Sequence, residues 1–514
     1  MFSKVKSCAV HGVDGRMIDV EADVNDGLPV FTMVGYLSSS VRESSERVRT
    51  ALKNSGFHLP PKRITINLSP ADMRKDGSGY DLAIATAVLL SLGVTAELPM
   101  EQTLVLGELS LDGSIKAIPG VLPMVICARE EGMTSCIVPK ENVQEAALVQ
   151  GISVIGVSSL KETMEYIQGI KEYENTNVEQ PAVDTSEYLY DIDFSDVVGQ
   201  ESIKRGMEIA AAGFHNVLLT GAAGAGKSML AKRLPTILPQ MSFEESLEVT
   251  KIYSVGGMLP PEGGLIHRRP FRAPHHTISE YALIGGGRVP TPGEVSFAHY
   301  GVLFLDELPE FSKPVLEVLR QPLEDRRIRI SRVQASYEFP ADFMFVAAMN
   351  PCPCGNYPDY RRCSCTEQQI RRYQSKVSGP LLDRIDIRME VKGVKQDVLF
   401  SKQKTESSKT IRARVEQARQ MQKDRFAGTG LLFNSQLDGK NLEEYITLSE
   451  EGKRLVLQLF EEQELSVRGV HRVLKLARTI ADLAGSEEIE NAHLQEAAFY
   501  RNQDVFAKEV LYGN

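Results

Sequence analysis

Gly221-Ala222-Ala223-Gly224-Ala225-Gly226-Lys227-Ser228 is the stretch on which the fold of this chain turns. It satisfies G-x-x-x-x-G-K-[ST] without mismatch. The apolar run Asn216-Val-Leu-Leu-Thr220 before it reads as a buried strand, and Met229-Leu-Ala-Lys-Arg-Leu234 after it has helical spacing. Strand, glycine loop and helix together are the context in which backbone N–H groups close around the phosphates of a nucleotide, aided by the dipole of the helix N-terminus. In that setting Lys227 is expected to neutralise phosphate charge and the Ser228 hydroxyl to ligate Mg²⁺.

Further along, Gly301-Val-Leu-Phe-Leu-Asp-Glu307 is an apolar strand ending in two carboxylates. A parallel strand beside the phosphate loop would bring Asp306 next to Mg²⁺ and leave Glu307 to polarise the attacking water. Alone, such a run marks a capped strand; downstream of a phosphate loop it points to hydrolysis. A third strand, Phe343 to Met349, ends at Asn350, whose amide can orient that water or merely turn the chain before Pro351. Arg384, in Gly379-Pro-Leu-Leu-Asp-Arg384, and Arg468, at the start of a helix, are further cations that solvation alone would also explain.

Working outward, the 514 residues suit about three domains. The composition is 42% hydrophobic and 25% charged with a net charge of −10, so any nucleic-acid contact must come from local patches. Met1 to Gly15 lacks an apolar signal core, and the longest apolar stretch, Leu82 to Val94, is too short for a bilayer. A cytoplasmic location without membrane contact is expected. Residues 1–168 alternate strands (Arg63–Leu68, Thr103–Gly107) with helices (Ser38–Ser55, Asp81–Leu92), and residues 169–191 read as a linker. Residues 192–395 follow strand, loop, helix. Residues 396–514 are mostly helical, at Lys409–Arg425, Ser449–Glu464, Val467–Leu483 and Asn491–Arg501.

The order of these elements resembles the AAA+ ATPases of the magnesium-chelatase and MCM-like clade, over the whole chain, and is closest to the ComM/YifB family. The fold class implied is α/β multidomain: a Lon-protease-like α+β domain, an AAA+ P-loop core with inserted hairpins, and a helical lid. By this resemblance Val198, Gly199 and Gln200 belong to the segment lining the adenine pocket. Residues 221–228 match Walker A, Asp306 and Glu307 Walker B, Asn350 sensor 1, Arg384 the arginine finger acting on a neighbour's ATP, and Arg468 sensor 2. A finger working in trans implies a homohexamer. The clade's helix-2 insert corresponds to residues 265–295. A β-hairpin is predicted over residues 326–339, where Arg329 and Arg332 are either contacts to a DNA backbone in a central pore or basic residues protecting a solvated edge.

Cys352, Cys354, Cys363 and Cys365 fall close together as C-x-C and C-x-C. Four thiolates suit tetrahedral structural Zn²⁺; a reduced metal-free loop and an iron–sulfur cluster are the alternatives. His275 and His276 read as loop residues. The N-terminal segments 61–68, 74–82 and 107–113 resemble the proteolytic domain of Lon, but Gly79 stands where its nucleophile belongs, Ser78 is one residue early, and Leu122 occupies the lysine position, so no peptidase activity is expected. The resemblance implies an ATP- and Mg²⁺-dependent motor on single-stranded, forked or branched DNA, a branch-migration helicase in recombination or natural transformation. A chelatase-type remodelling subunit is the alternative. An ATP-dependent protease lacks its Ser–Lys pair, and nothing speaks directly for a nucleotide-switched scaffold.

Overall fold

The computed structural model describes residues 1–171, 190–260, 264–332, 335–392, 405–463 and 465–501. Most of the expected linker, the expected boundary at 395/396, the hairpin tip Val333–Gln334, Glu464 and residues 502–514 lie outside the described residues.

The N-terminal region is built on strands β1 (Phe2–His11), β2 (Asp14–Asn25), β3 (Val30–Val34), β4 (Arg63–Ser69), β5 (Thr103–Val105), β6 (Ser135–Pro139) and β7 (Ser153–Val157). They form one sheet in the order β3-β4-β2-β1-β5-β6-β7. Pairing is antiparallel within β1/β2/β4 and parallel elsewhere. Alternation along β4 turns Ile64, Ile66 and Leu68 inward. Helix α1 (Ser39–Asn54) starts at the Ser38 cap, and α2 (Asp81–Ser91) is buried nearly all round, as a helix apolar on every face must be. Helix α3 (Val121–Glu130) covers the other face of the sheet, packing with Cys8, Leu104 and Leu106.

The second sheet contains β8 (Val217–Thr220), β9 (Phe271–Arg272), β10 (Val302–Leu305), β13 (Met344–Met349) and β14 (Ile387–Glu390), all parallel, in the order β9-β10-β13-β8-β14. Every residue of β8, β10 and β13 is buried, the pattern of a parallel sheet covered on both faces. The Asp306 strand is therefore not beside the phosphate-loop strand, as expected; β13 lies between them. Thr220 registers with Met349 and Leu305 with Ala347, so all three strands still end at one edge. Between β10 and β13 the chain forms the antiparallel pair β11 (Arg327–Ser331) and β12 (Ser336–Pro340).

Residues 265–295, where an insert is expected, are largely irregular. They supply the edge strand β9 and two short helices, and their antiparallel pairing is the single bridge Gly286–Thr291. Gly285, Gly286 and Gly287 all have positive φ, and Pro290 and Pro292 have no N–H to give, so no ladder can propagate there.

The C-terminal helices α4 (Ser408–Arg425), α5 (Glu450–Glu462), α6 (Val467–Leu483) and α7 (Asn491–Arg501) fall where the sequence places them. They share one hydrophobic core with the second sheet, reaching from Val217 and Val346 to Leu476 and Ala497. Phe433 stacks on Phe214 with centroids 4.4 Å apart. The Asp193 carboxylate accepts from the Ser408 N–H at 3.1 Å, and the Tyr500 hydroxyl donates to the Ser202 carbonyl at 2.8 Å.

Candidate functional site

At the carboxyl edge of the second sheet, residues 223–229, Asp306, Glu307, Met349 and Asn350 line a cleft of about 310 Å³. The loop turns on Gly224 and Gly226, both at positive φ, and runs into the helix Lys227–Arg233. The Lys227 ammonium is buried and donates to the carbonyls of Gly221 (2.8 Å) and Ala222 (2.9 Å) and to Asn350 Oδ1 (3.0 Å). Burial pulls its pKa below the ordinary lysine value, against the nearby Asp306 and Glu307 carboxylates. The Ser228 hydroxyl donates to Asp306 Oδ2. A hydroxyl and a carboxylate oxygen in contact, beside a lysine, form a donor set of hard oxygens that fits Mg²⁺. Glu307 is exposed at the lip, with a left-handed backbone (φ 52°) that turns it out of the strand line. Gln200, also left-handed, donates from Nε2 to the Ala225 carbonyl at 3.3 Å and the Lys392 carbonyl at 3.2 Å, tying the Val198-Gly199-Gln200 segment to the loop.

Arg384 and Arg468 are elsewhere. They line a separate groove of about 280 Å³ with Glu324, Asp386, Arg472 and Lys475, and no residue lines both this groove and the phosphate cleft. Arg384 donates to Glu324 Oε2 and to the Pro380 carbonyl (2.7 Å); Arg468, 70% exposed, stands 4.0 Å from the same Glu324. Glu324 was not visible as a partner, since sixty residues separate it from Arg384. Behind them Asp386 is buried. Burial alone would raise its carboxyl, but hydrogen bonding to His215 and the charge of Arg472 hold it well below the usual range. Burial lowers Lys475 to about 8.

On the β11–β12 hairpin Ile328, Ile330 and Phe339 face inward. Arg329 sits directly across from Glu338 and pairs with it at 3.1 Å, as does Arg327 at 3.0 Å, so Arg329 is a partnered cation rather than a free one. The cross-strand register that makes this pair follows from the hairpin itself. Arg332 is exposed and shares an open cleft with Tyr281, Gly286 and Gly287, which brings the hairpin and the 265–295 insert together. Tyr337 stacks on His11 of the N-terminal sheet at 4.5 Å. Other contacts tie the regions together, among them Lys251 with Asp14 at 2.9 Å, the Gly120 N–H with the Ser254 carbonyl at 3.0 Å, and the Ser254 hydroxyl donating to Glu145.

The four cysteine sulfurs lie within 4.8 Å of one another. Cys352–Cys354, Cys354–Cys363 and Cys352–Cys363 are 3.4, 3.6 and 3.8 Å apart. Tetrahedral Zn–S bonds of about 2.3 Å require sulfurs about 3.8 Å apart, so the cluster fits zinc. A polynuclear iron–sulfur cluster places iron and sulfide between its thiolates and needs a wider cage. The Tyr357 N–H points at Cys352 Sγ (3.4 Å), and Asn356 Nδ2 at Cys354 Sγ (3.9 Å), as thiolate ligands favour. His275 and His276 stack on each other and do not join the cluster.

Three family models match the chain. They are described as magnesium chelatase, subunit ChlI, over residues 193–399; subunit ChlI of Mg-chelatase, over 20–142; and magnesium chelatase, subunit ChlI C-terminal, over 405–501. Competence protein ComM of Haemophilus influenzae is 40% identical over 503 residues, 97% of each chain. YifB of Escherichia coli is 41% identical over 506 residues, 98% of this chain and 97% of its own. The chain belongs to the ComM/YifB family. Membership in this magnesium-chelatase-like AAA+ family implies ATP and Mg²⁺.

Over a shorter span, Lon protease 2 of Bacillus subtilis is 30% identical across 183 residues, 32% of each chain. In this ComM/YifB member Lys75 is wholly buried and its ammonium donates to the Pro70 carbonyl, while the Ser78 hydroxyl donates to Glu108. Burial lowers the Lys75 pKa. Leu122 is buried, its N–H donated to Glu145 at 2.8 Å. Because a chelatase-subunit model matches residues 20–142, the N-terminal region by itself does not separate the DNA-motor reading from the chelatase one. Among the described residues no helix is long and apolar enough to cross a membrane.

Proposed function

We propose that the chain is an ATP-hydrolysing AAA+ motor that works as a homohexameric ring on branched or single-stranded DNA, moving a junction during recombination or uptake of DNA. Its working parts are residues 1–168, a linker over 169–191, the ATPase core 192–395 and the helical lid 396–514. The observation that carries the reading is the location of Arg384 and Arg468 in a groove that shares no residue with the chain's own phosphate cleft. One chain then holds a phosphate grip without its transition-state cations, and a neighbour supplies them.

In this reading residues 221–228 wrap the phosphates, Lys227 exchanges Asn350 for phosphate oxygens, and Ser228 and Asp306 hold Mg²⁺. The ion screens charge between the β- and γ-phosphates. Glu307, at the open lip, takes the proton of the attacking water, Asn350 orients that water, and Arg384 and Arg468 of a neighbouring copy neutralise charge developing on the leaving phosphate. Val198, Gly199 and Gln200 back the base-binding side through the Ala225 contact. The cysteine tetrad holds structural zinc. Arg332 is the first DNA contact, and Arg329 engages phosphate by exchanging its bond to Glu338. The Lys75 and Ser78 contacts support a region without peptidase activity.

The DNA half rests on the similarity to a competence protein and on the hairpin cations. ATP hydrolysis measured with and without forked DNA at low salt tests it, because phosphate contacts are strongest there. Stimulation by DNA that fades with salt is expected; a rate indifferent to DNA contradicts it. The chelatase-type remodelling reading draws on the family descriptions. Strand displacement on three- and four-stranded junctions by the purified chain alone would count against it.

A further inference from the structure

Ala222, Ala223 and Gly224, at the tip of the phosphate loop, are exposed, yet a nucleotide needs the loop already shaped. Part of what shapes it comes from the cysteine turn. Gly355 is buried at positive φ (80°), and a Cβ built on it would sit 3.4 Å from the Ala223 nitrogen and 3.9 Å from Asn350 Cγ. The turn thus rests on the loop through a residue with no side chain. A second path runs along the chain: Cys352 is two residues from Asn350, whose Oδ1 accepts from Lys227 at 3.0 Å, and Gln374 Nε2 clamps the intervening Pro351 carbonyl at 2.9 Å.

Between Cys352 and Cys365 the chain has no helix or strand; turns, the Gly355 N–H to the Cys352 carbonyl (3.0 Å) among them, carry it. Such a segment lacks the burial to hold itself against the phosphate loop, and a four-thiolate metal is the cross-link that would fix it. We propose that the metal-loaded cysteine turn is the seat of the phosphate loop, so that occupancy of the Cys352/Cys354/Cys363/Cys365 site sets nucleotide affinity. This rests on reading the tetrad as a zinc site. Gly355 is then a positioning residue, acting through Ala223 and Asn350. Linkage makes the coupling reciprocal: whatever factor zinc contributes to nucleotide binding, nucleotide returns to zinc retention.

The test uses the full-length chain with its metal content measured. Zinc is stripped with a thiophilic chelator in excess Mg²⁺, and Kd for a fluorescent ATP analogue is compared before stripping, after it, and after Zn²⁺ is restored. Kd is expected to rise about tenfold on stripping and to return. In protein loaded with Co²⁺ instead, the visible thiolate–cobalt bands are expected to shift when Mg²⁺ and a non-hydrolysable ATP analogue are added. If stripping unfolds the chain, Gly355→Ala decides: it should keep its full metal and bind nucleotide about fivefold more weakly. Less than half an equivalent of metal in fresh protein overturns the zinc reading and the coupling with it. A full equivalent with unmoved cobalt bands, and wild-type affinity in Gly355→Ala, overturns the coupling and leaves the zinc site standing.

Discussion

Two lysines in this chain sit in glycine-bearing turns and are lowered in pKa by burial, yet they meet opposite surroundings. Lys75, in Lys75-Asp-Gly-Ser-Gly79, is wholly enclosed and spends its ammonium on the Pro70 carbonyl. Lys227, in Gly221 to Ser228, lines an open cleft where its neighbour Ser228 meets Asn350, Asp306 and Glu307 from the ends of two other strands. A lysine on a turn is not a site. What makes one is the common edge of three parallel strands, which brings a carboxylate 78 positions from Ser228 and an amide 123 positions from Lys227 to one point.

Exchanging each lysine for a neutral residue should separate the two surroundings by the largest effect. Lys227→Ala should abolish measurable nucleotide binding. Lys75→Met, which keeps the volume, should leave the ATPase rate within about twofold. Loss of hydrolysis in both would mean that the N-terminal turn also serves the nucleotide. Glu307→Gln should retain ATP and lower turnover by roughly 10² or more, the usual worth of a positioned base; a filter-binding assay beside a phosphate-release assay separates the two effects.

Next in size is the region that supports the cleft from behind. Phe433 lies in the core shared by the helices and the ATPase sheet, so Phe433→Ala should cost about 3–5 kcal/mol in chemical unfolding. A loss confined to the helices, with the ATPase sheet unaffected, would contradict a shared core. The smallest expected effect concerns Lys475, lowered to about 8. Between that value and its ordinary 10.5 the unfolded chain binds the proton and the folded chain does not, so stability gains as pH rises through this window. Relative to Lys475→Met, the wild type should gain up to about 2 kcal/mol from pH 8 to pH 10. An unchanged difference would place the ammonium in water.

The phosphate loop, its strand and its helix were legible because the whole device is contiguous: eight residues state the turn, the cation and the hydroxyl. The cysteine tetrad was legible for the same reason. The order of the sheet was not. Nothing local in Met344–Met349 says that this strand inserts between β8 and β10, because a buried parallel strand reads the same at any position in its sheet. Glu324 was equally hidden, since the pairing of Arg384 and Arg468 on one carboxylate depends on how helices pack and not on spacing. Residues 265–295 read as an insert rich in glycine and proline, and that composition does not announce that Phe271–Arg272 adds an edge strand to the sheet. The helices of residues 408–501 matched closely because their caps, Ser407, Ser449 and Ser466, sit just before apolar periodicity.

In the proposed ring each ATP is gripped by one chain and completed by arginine from the next, and mixing two silent variants tests that arrangement. Glu307→Gln keeps its arginines and lacks its base; Arg384→Ala keeps its base and lacks its arginine. Each alone should hydrolyse ATP at least about 10²-fold more slowly than wild type. In randomly mixed rings roughly a quarter of the contacts pair an intact pocket with an intact arginine, so hydrolysis should return to a readily measured fraction of the wild-type rate. Mixed rings that form and stay silent would contradict it.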